Sequence, residues 1–418
     1  MDFSYSEKSL ALAAQLRAFM EENIVPNIRV FDRAHTRGEF PLALIQELKA
    51  KAKAEGLWNL FLPALTDDEP GTRLSNLDYA PLAEIMGRVH WSSEVFNCNP
   101  PDTGNMELLH LFATPEQRER WLNPLLNGEI RSVFSMTEPE VASSDATNIR
   151  TSIRRDGDHY IVSGRKWFSS AAMHPLAKFA IVMGVSDDSE GADPHRRQSM
   201  IIVPLDTPGV KILRDYPILN YRMPDGITEI LYDDVRVPAS MLLGKEGDGF
   251  ALAQARLGPG RVHHCMRAIG QCELALELMC DRAVQRVAFG KKLSDYANNQ
   301  DFIAESRVEI DQARLLTLRC AWKIDREGNR AAATDVSAIK LVTARVLQKV
   351  SDRAMQVFGG AGLTPDTPLA FLFTWGRAMR FFDGPDEVHL RGIARVELKR
   401  AKANPGFTAP YLTPFIGE

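Results

Sequence analysis

Two stretches far apart in the chain hold the residue types that could do chemistry. Met136 to Asp145 reads M-T-E-P-E-V-A-S-S-D, a polar, turn-rich run whose small hydroxyls can reach a backbone or a ligand. Arg380 to His389 reads R-F-F-D-G-P-D-E-V-H, which sets Asp383 between aromatics and a Gly-Pro breaker, just ahead of a helix. A carboxylate in apolar surroundings is a poised base rather than a solubilising charge. Three weaker signals lie between and around them. Lys166 to Ser170, K-W-F-S-S, ends a strand with a flat ring beside hydroxyls. Trp167 is either a buried sheet aromatic or a wall for a flat ligand, with Ser169 bonding that ligand's edge and Met136 and Thr137 adding an apolar contact and a second hydroxyl. Arg286 to Lys291, together with Gln300, is a basic and aromatic segment at a helix break, either a solvated helix end or part of a site. Gln356 to Gly362 places glycines at a helix C-terminus, either as a plain cap or for close approach of a diphosphate.

Other chemistries find no support. No strand-GxGxxG-helix fingerprint and no Walker motif occurs, and Gly244 to Gly249 has the wrong spacing, so a flexible hinge is expected there. The nine histidines form no HExxH, and His263 and His264 are neighbours that point apart on a helix, so no metal site is expected. Cys265, Cys272 and Cys280 share one helix face and suit small apolar packing, while the odd total of five, without CxxC pairs, fits a reducing compartment.

The elements that must position these residues follow from periodicity. Ser4 and Glu7 suggest a capping box for a first helix that Pro26 closes, and a second helix runs from about Pro41 to Glu55. Thr114 to Gln117 combines N-cap, N1 proline and capping box for a helix carrying Trp121 and Leu125. From about 131 the pattern turns to strands: His159 to Phe168, Phe179 to Val185, Ser199 to Leu205 and Thr228 to Val237. Helical spacing returns at about 245, with one long helix through Val262 and Ala283, then Gln300 to Glu327, Asp335 to Phe358, and a last helix with Asp386 as N-cap.

Length and composition agree with two or three domains: 418 residues, 45% hydrophobic, and 50 basic against 54 acidic residues for a net charge of −4. That balance offers no basic field for nucleic acid or anionic lipid. No run approaches the ~18 apolar residues of a membrane span. The N-terminus lacks a signal-peptide pattern and the C-terminus an SKL or KDEL address, so a cytoplasmic location is expected.

Taken in order, M-T-E-P…S-D, K-W-F-S-S, D-D-V-R-V-P, R-x-x-F-G, Q-x-F-G-G-x-G and F-D-G-P resemble the motif series of the acyl-CoA dehydrogenase family over roughly residues 5 to 400. The α-then-β-then-α order agrees with what that resemblance implies, an α+β, mostly α fold. It comprises an N-terminal helical domain (1–130), a middle antiparallel β-domain (131–243) and a C-terminal four-helix bundle (244–405), followed by a tail (406–418). It further implies FAD as cofactor, an acyl-CoA substrate, an electron-transfer flavoprotein as acceptor and a homotetramer. By position, Phe134, Met136, Thr137, Trp167 and Ser169 would contact the isoalloxazine. Arg286, Phe289, Gln300, Gln356 and Gly360 would hold diphosphate and adenosine, partly across a subunit boundary. Ser144 and Arg395 would contact acyl-CoA, and Arg261 would lie near the base. Pro385 and Glu387 stand at flavin-contact positions where most members have Thr and Gln.

The base departs from the common pattern. Most members carry Glu in Y-E-G-T, and a minority place Glu at the position of Gly260; here Phe382-Asp383-Gly384-Pro385 leaves Asp383 as the candidate. A subgroup with D-G-P-D-E-V-H, similar to the dehydrogenase domain of kinase-fused eukaryotic members, shares this feature. The implied reaction is removal of an α-proton by Asp383 as the β-hydride passes to flavin N5, giving trans-2-enoyl-CoA. The alternatives are a nitroalkane oxidase-like or acyl-CoA oxidase-like flavoprotein using O₂, and a non-catalytic family member.

Overall fold

A computed structural model describes residues 3–412; residues 413–418 of the expected tail lie outside them. The N-terminal third is helical: α1 (Glu7–Phe19), α2 (Ile28–Thr36), α3 (Leu42–Ala54), α4 (Asn76–Gly87), α5 (Ser92–Val95), α6 (Asp102–Phe112), α7 (Pro115–Gln117) and α8 (Asn123–Leu126). The α1 cap is Ser6, whose side chain accepts from the Ser9 N–H, not the expected Ser4 box. Pro26 does not close a helix either. The chain passes from α1 through a π turn (Met20–Ile24) and a 3₁₀ turn (Val25–Asn27) into α2, and Pro26 falls in the first turn of the 3₁₀ segment, where its missing N–H costs nothing. At Thr114 both halves of the capping box form with Gln117.

Strands β1 (Arg131–Ser135), β2 (Ser152–Asp156), β3 (His159–Ser170), β4 (Ala177–Val185), β5 (Gln198–Pro204), β6 (Val210–Asp215), β7 (Ile227–Pro238) and β8 (Leu242–Leu243) form one sheet. Its order is β6-β7-β3-β2-β4-β5-β8, with β1 on β4. The sheet is mixed rather than purely antiparallel, because β1 pairs β4 in parallel. A parallel partner must arrive by a long crossover, and no local hairpin signal announces it. The helical domain is pinned to β1 by buried charge. Arg131, 0% exposed, meets Glu94 of α5 at 2.8 Å and also Asp102 of α6, while Glu94 reaches Lys49 of α3 at 3.3 Å.

The remainder is α9 (Gly249–Gln285), a short hairpin of β9 (Val287–Ala288) and β10 (Lys291–Lys292), α10 (Ala297–Glu327), α11 (Ala333–Phe358), α12 (Leu369–Met379) and α13 (Asp386–Ala403). The bundle therefore has a fifth helix; α12 was hidden because its apolar residues sit on all sides of a short segment. Cys265 and Cys272 are buried on α9, as small apolar packing requires. The Gly244–Gly249 segment is a tight packing point, not a hinge: a Cβ on Gly249 would lie 2.7 Å from the Gln198 carbonyl. Asp386 begins α13 without capping it and instead accepts from Arg345 at 3.1 Å and Arg380 at 2.9 Å.

Two glycines let α9 lie directly on α4. A Cβ on Gly87 would stand 2.0 Å from the Arg267 carbonyl oxygen, and one on Gly270 would stand 1.8 Å from that of Glu84. These contacts are backbone on backbone and cannot yield by a rotamer change. Gly270→Ala should therefore destabilise by ~1–3 kcal/mol through overpacking, although alanine is the better helix former by ~1 kcal/mol. A thermal or urea unfolding midpoint equal to that of the parent would contradict the close crossing.

Candidate active site

Asp383 lies in the turn between α12 and α13, with φ of +55°, followed by Gly384 at φ +102°. A non-glycine residue in this region persists only where its surroundings hold it. Two cations do so through the backbone. Arg261 Nε donates to the Asp383 carbonyl at 2.7 Å, and Lys340 Nζ donates to the carbonyls of Phe382 (2.8 Å) and Met379 (2.6 Å). Gly384 is required because a Cβ there would stand 2.9 Å from His389 Nε2. The carboxylate keeps 17% of its side-chain surface open, and its Oδ2 is 3.5 Å from His264 Nε2. Burial works to raise the Asp383 carboxyl, but His264, Lys340, Arg256 and Arg261 outweigh it and hold it below the usual carboxylate range. The expected apolar surroundings are thus a ring of basic groups.

Arg256 links this turn to the sheet. Its guanidinium stacks 3.8 Å from the centre of the Phe134 ring, and its Nε donates to Asn105 Oδ1 at 2.9 Å. Beyond Phe134, β1 leads to Met136 and Thr137, and Thr137 meets Trp167 backbone to backbone. Trp167 N–H donates to the Thr137 carbonyl at 3.0 Å, and the Thr137 hydroxyl donates to the Trp167 carbonyl at 2.7 Å. A bulge at this point gives Phe168 a φ of +51°. The loop is fastened from behind by buried Lys166, which donates to the Met136 carbonyl and to Glu138 Oε1, both at 2.8 Å. Glu138 in turn accepts from the backbone N–H groups of Arg150 and Thr151 at 2.8 Å. Ser169 is 1% exposed, and its hydroxyl pairs with Ser135 Oγ at 3.1 Å.

Family models for the N-terminal, middle and C-terminal domains of acyl-CoA dehydrogenases match residues 6–129, 133–235 and 247–398. The chain belongs to the acyl-CoA dehydrogenase family. Membership makes it an FAD-dependent oxidoreductase, as its motifs implied. It is similar to FadE2 of Mycobacterium tuberculosis, a protein named as an acyl-CoA dehydrogenase, at 54% identity over 96% of this chain and 98% of that one. It is 50% identical to acyl-CoA dehydrogenase family member 11 of Gallus gallus over 95% of this chain, and spans 51% of that longer protein. A solved structure from Mycobacterium abscessus, described as an acyl-CoA dehydrogenase, matches with a TM-score of 0.89 at 45% identity over 95% of this chain and 99% of that one.

The remaining acyl-CoA dehydrogenase positions fall into two groups. Pro385 and exposed Glu387 open α13 beside Asp383. Ser144 is exposed in a turn whose Asp145 feels the charge of Arg391, one turn before exposed Arg395, so that loop faces α13. Arg286, Phe289, Gln300, Gln356 and Gly360 gather instead at the opposite end of the bundle. There Arg282 of α9 stacks on Phe358 of α11 at 5.3 Å, and Gln300 Nε2 donates to the Ser294 carbonyl at 2.9 Å. From Arg261 to Arg286 the rise along α9 is ~37 Å at ~1.5 Å per residue. The residues at that end fit a nucleotide. Backbone at Gly359 and Gly360 is open, with no atom within 4 Å of an added Cβ, and Phe289 at its hairpin tip is 100% exposed.

Sequence reasoning missed Lys340, His264, Arg256 and Glu107, which come from helices far apart in the chain. Glu107 is fully buried, with one carboxyl oxygen unpartnered, and burial pushes it up to about 8 against the weaker pull of Arg256. A carboxyl raised in the folded state is protonated there while its unfolded counterpart is ionised. Folding stability is therefore complete below the unfolded value near 4.5 and falls as pH rises to about 8. Glu107→Gln should flatten that decline and melt above the parent at alkaline pH. Parallel melting curves for the two proteins from acid to alkaline pH would refute a buried protonated Glu107.

Proposed function

We propose that this protein removes the α-proton and β-hydride of an acyl-CoA thioester, with Asp383 as the base, to give a trans-2-enoyl-CoA. The observation that carries this reading is a carboxylate on a positively ringed turn, linked through Arg256 to Phe134 and the strand that leads to the Thr137–Trp167 contact. A carboxylate already ionised at neutral pH needs no deprotonation before it acts. Bound FAD supplies the hydride acceptor. Phe134, Met136, Thr137 and Trp167 of one protomer suit the ring system, and Arg286, Phe289, Gln300, Gln356 and Gly360 of another suit the diphosphate and adenosine. The ~37 Å rise along α9 from Arg261, beside the Asp383 turn, to Arg286 supports a site shared between protomers, as the expected homotetramer would provide.

The clamp on the turn also orients a donor. Lys340 holds the Phe382 carbonyl, and in a planar trans peptide the Asp383 N–H then points the opposite way. Among the described residues that N–H has no acceptor. It can donate to the thioester oxygen, where negative charge grows as the α-proton leaves; one such donor is worth ~2.7–4 kcal/mol. Ser144 and Arg395 then flank the mouth for the CoA portion, and an electron-transfer flavoprotein takes the electrons onward.

The test is anaerobic mixing of the FAD-loaded protein with acyl-CoAs of graded length and with nitroalkanes, watching the flavin's visible absorbance. Bleaching by an acyl-CoA, with enoyl-CoA as product, is expected. Bleaching by nitroalkanes alone would overturn the substrate assignment. Asp383→Asn should retain FAD and lose ~10²–10⁴-fold or more in reduction rate; reduction at the parent rate would remove Asp383 from the mechanism.

A further inference from the structure

We infer that His264, fixed in a single tautomer by Arg267, is a positioning residue that holds the Asp383 carboxylate in its working orientation. The inference rests on Asp383 being the base. Arg261, His264 and Arg267 follow one another at three-residue steps along α9, and all three meet the base turn or each other. Arg267 donates to His264 Nδ1 at 3.2 Å and to the Cys98 carbonyl at 3.3 Å. A guanidinium has no acceptor, so Nδ1 must be the accepting nitrogen, and the proton of the neutral ring resides on Nε2. That nitrogen faces Asp383 Oδ2 at 3.5 Å. It is the one basic side chain recorded within 4.0 Å of this carboxylate among the described residues. Contacts of this kind are long before substrate arrives and tighten in the complex. The adjacent His263 makes a useful contrast, buried between Tyr79 and Phe61 with neither ring nitrogen partnered.

The ring is held in charge as well as in tautomer. Burial, and then Arg267, push His264 down to about 3, so it faces Asp383 as a neutral donor at neutral pH. The Phe382 ring packs against it with centroids 4.9 Å apart, fixing its plane. The other groups around the turn are Arg256 and Arg261 on α9, Lys340 on α11 and His389 on α13. Arg261 and Lys340 spend their hydrogen bonds on backbone carbonyls, and His389 packs on Gly384. Arg256, Arg261 and Lys340 set the field at the carboxylate without fixing its rotation. His264 engages Oδ2 and leaves Oδ1 to take the proton. Aspartate is a methylene shorter than glutamate, so its carboxyl has less reach with which to correct a misplaced orientation.

The test compares His264→Phe and His264→Gln in the FAD-loaded enzyme, with Asp383→Asn alongside. His264→Phe should keep its FAD content, melting temperature and KM. It should lose ~10²-fold in flavin reduction at saturating acyl-CoA, and the acid limb of that rate should move up by about one pH unit. His264→Gln retains an N–H donor and should recover most of the rate. An unchanged rate and pH profile in His264→Phe, or equal losses in both variants, would overturn the inference. Parent-like reduction by Asp383→Asn would instead overturn the base assignment beneath it. Independently of activity and of whether the variants fold, ¹⁵N-histidine spectra of the parent at neutral pH should show His264 with its proton on Nε2. A proton on Nδ1, or a doubly protonated ring, would overturn the lock.

Discussion

Two cations on two consecutive backbone carbonyls hold the Asp383 turn, and the rest of the site depends on that arrangement. Arg261 and Lys340 arrive from α9 and α11, and between them they fix the peptides on either side of Asp383. A left-handed aspartate followed by a left-handed glycine would relax to an ordinary turn without such bonds. The same cations offset the cost of keeping a carboxylate ionised away from water. Conformation and charge state of Asp383 are therefore consequences of one set of contacts.

Helix α9 is the member through which those contacts are transmitted. Its first half joins the large core shared with the N-terminal helices and the sheet, and its second half joins the bundle core with α11 and α12. Where it crosses α4, paired glycines bring backbones into contact, and Arg314 ties the crossing further by bonding both Glu84 of α4 and Glu273 of α9. Arg256, Arg261, His264 and Arg267 project from the stretch on or near this crossing. Their precision comes from a helix that cannot slide.

The contact between Thr137 and Trp167 is built on different physics. There a β-bulge turns Trp167 toward Thr137, and a buried Lys166–Glu138 pair fastens the loop by main-chain bonds. Burial pushes the Lys166 ammonium down to about 8, with Glu138 pulling against it. Replacing such a pair by one partner alone leaves an uncompensated charge in the interior.

The sequence by itself determined the order of helical and stranded regions, the capping box at Thr114, the family and the base candidate. These are local: a periodicity, a cap or a motif is written in neighbouring residues. It missed the parallel pairing of β1 because the partner lies more than forty residues away. It could not reveal that Asp383 sits among basic side chains, since Arg256, His264, Lys340 and Asp383 come from three separate segments. Nor could it show that Arg286, Gln300, Gln356 and Gly360 gather at the end of the bundle far from Asp383. Only tertiary structure decides such matters, because charge, burial and distance are properties of residues brought together in space.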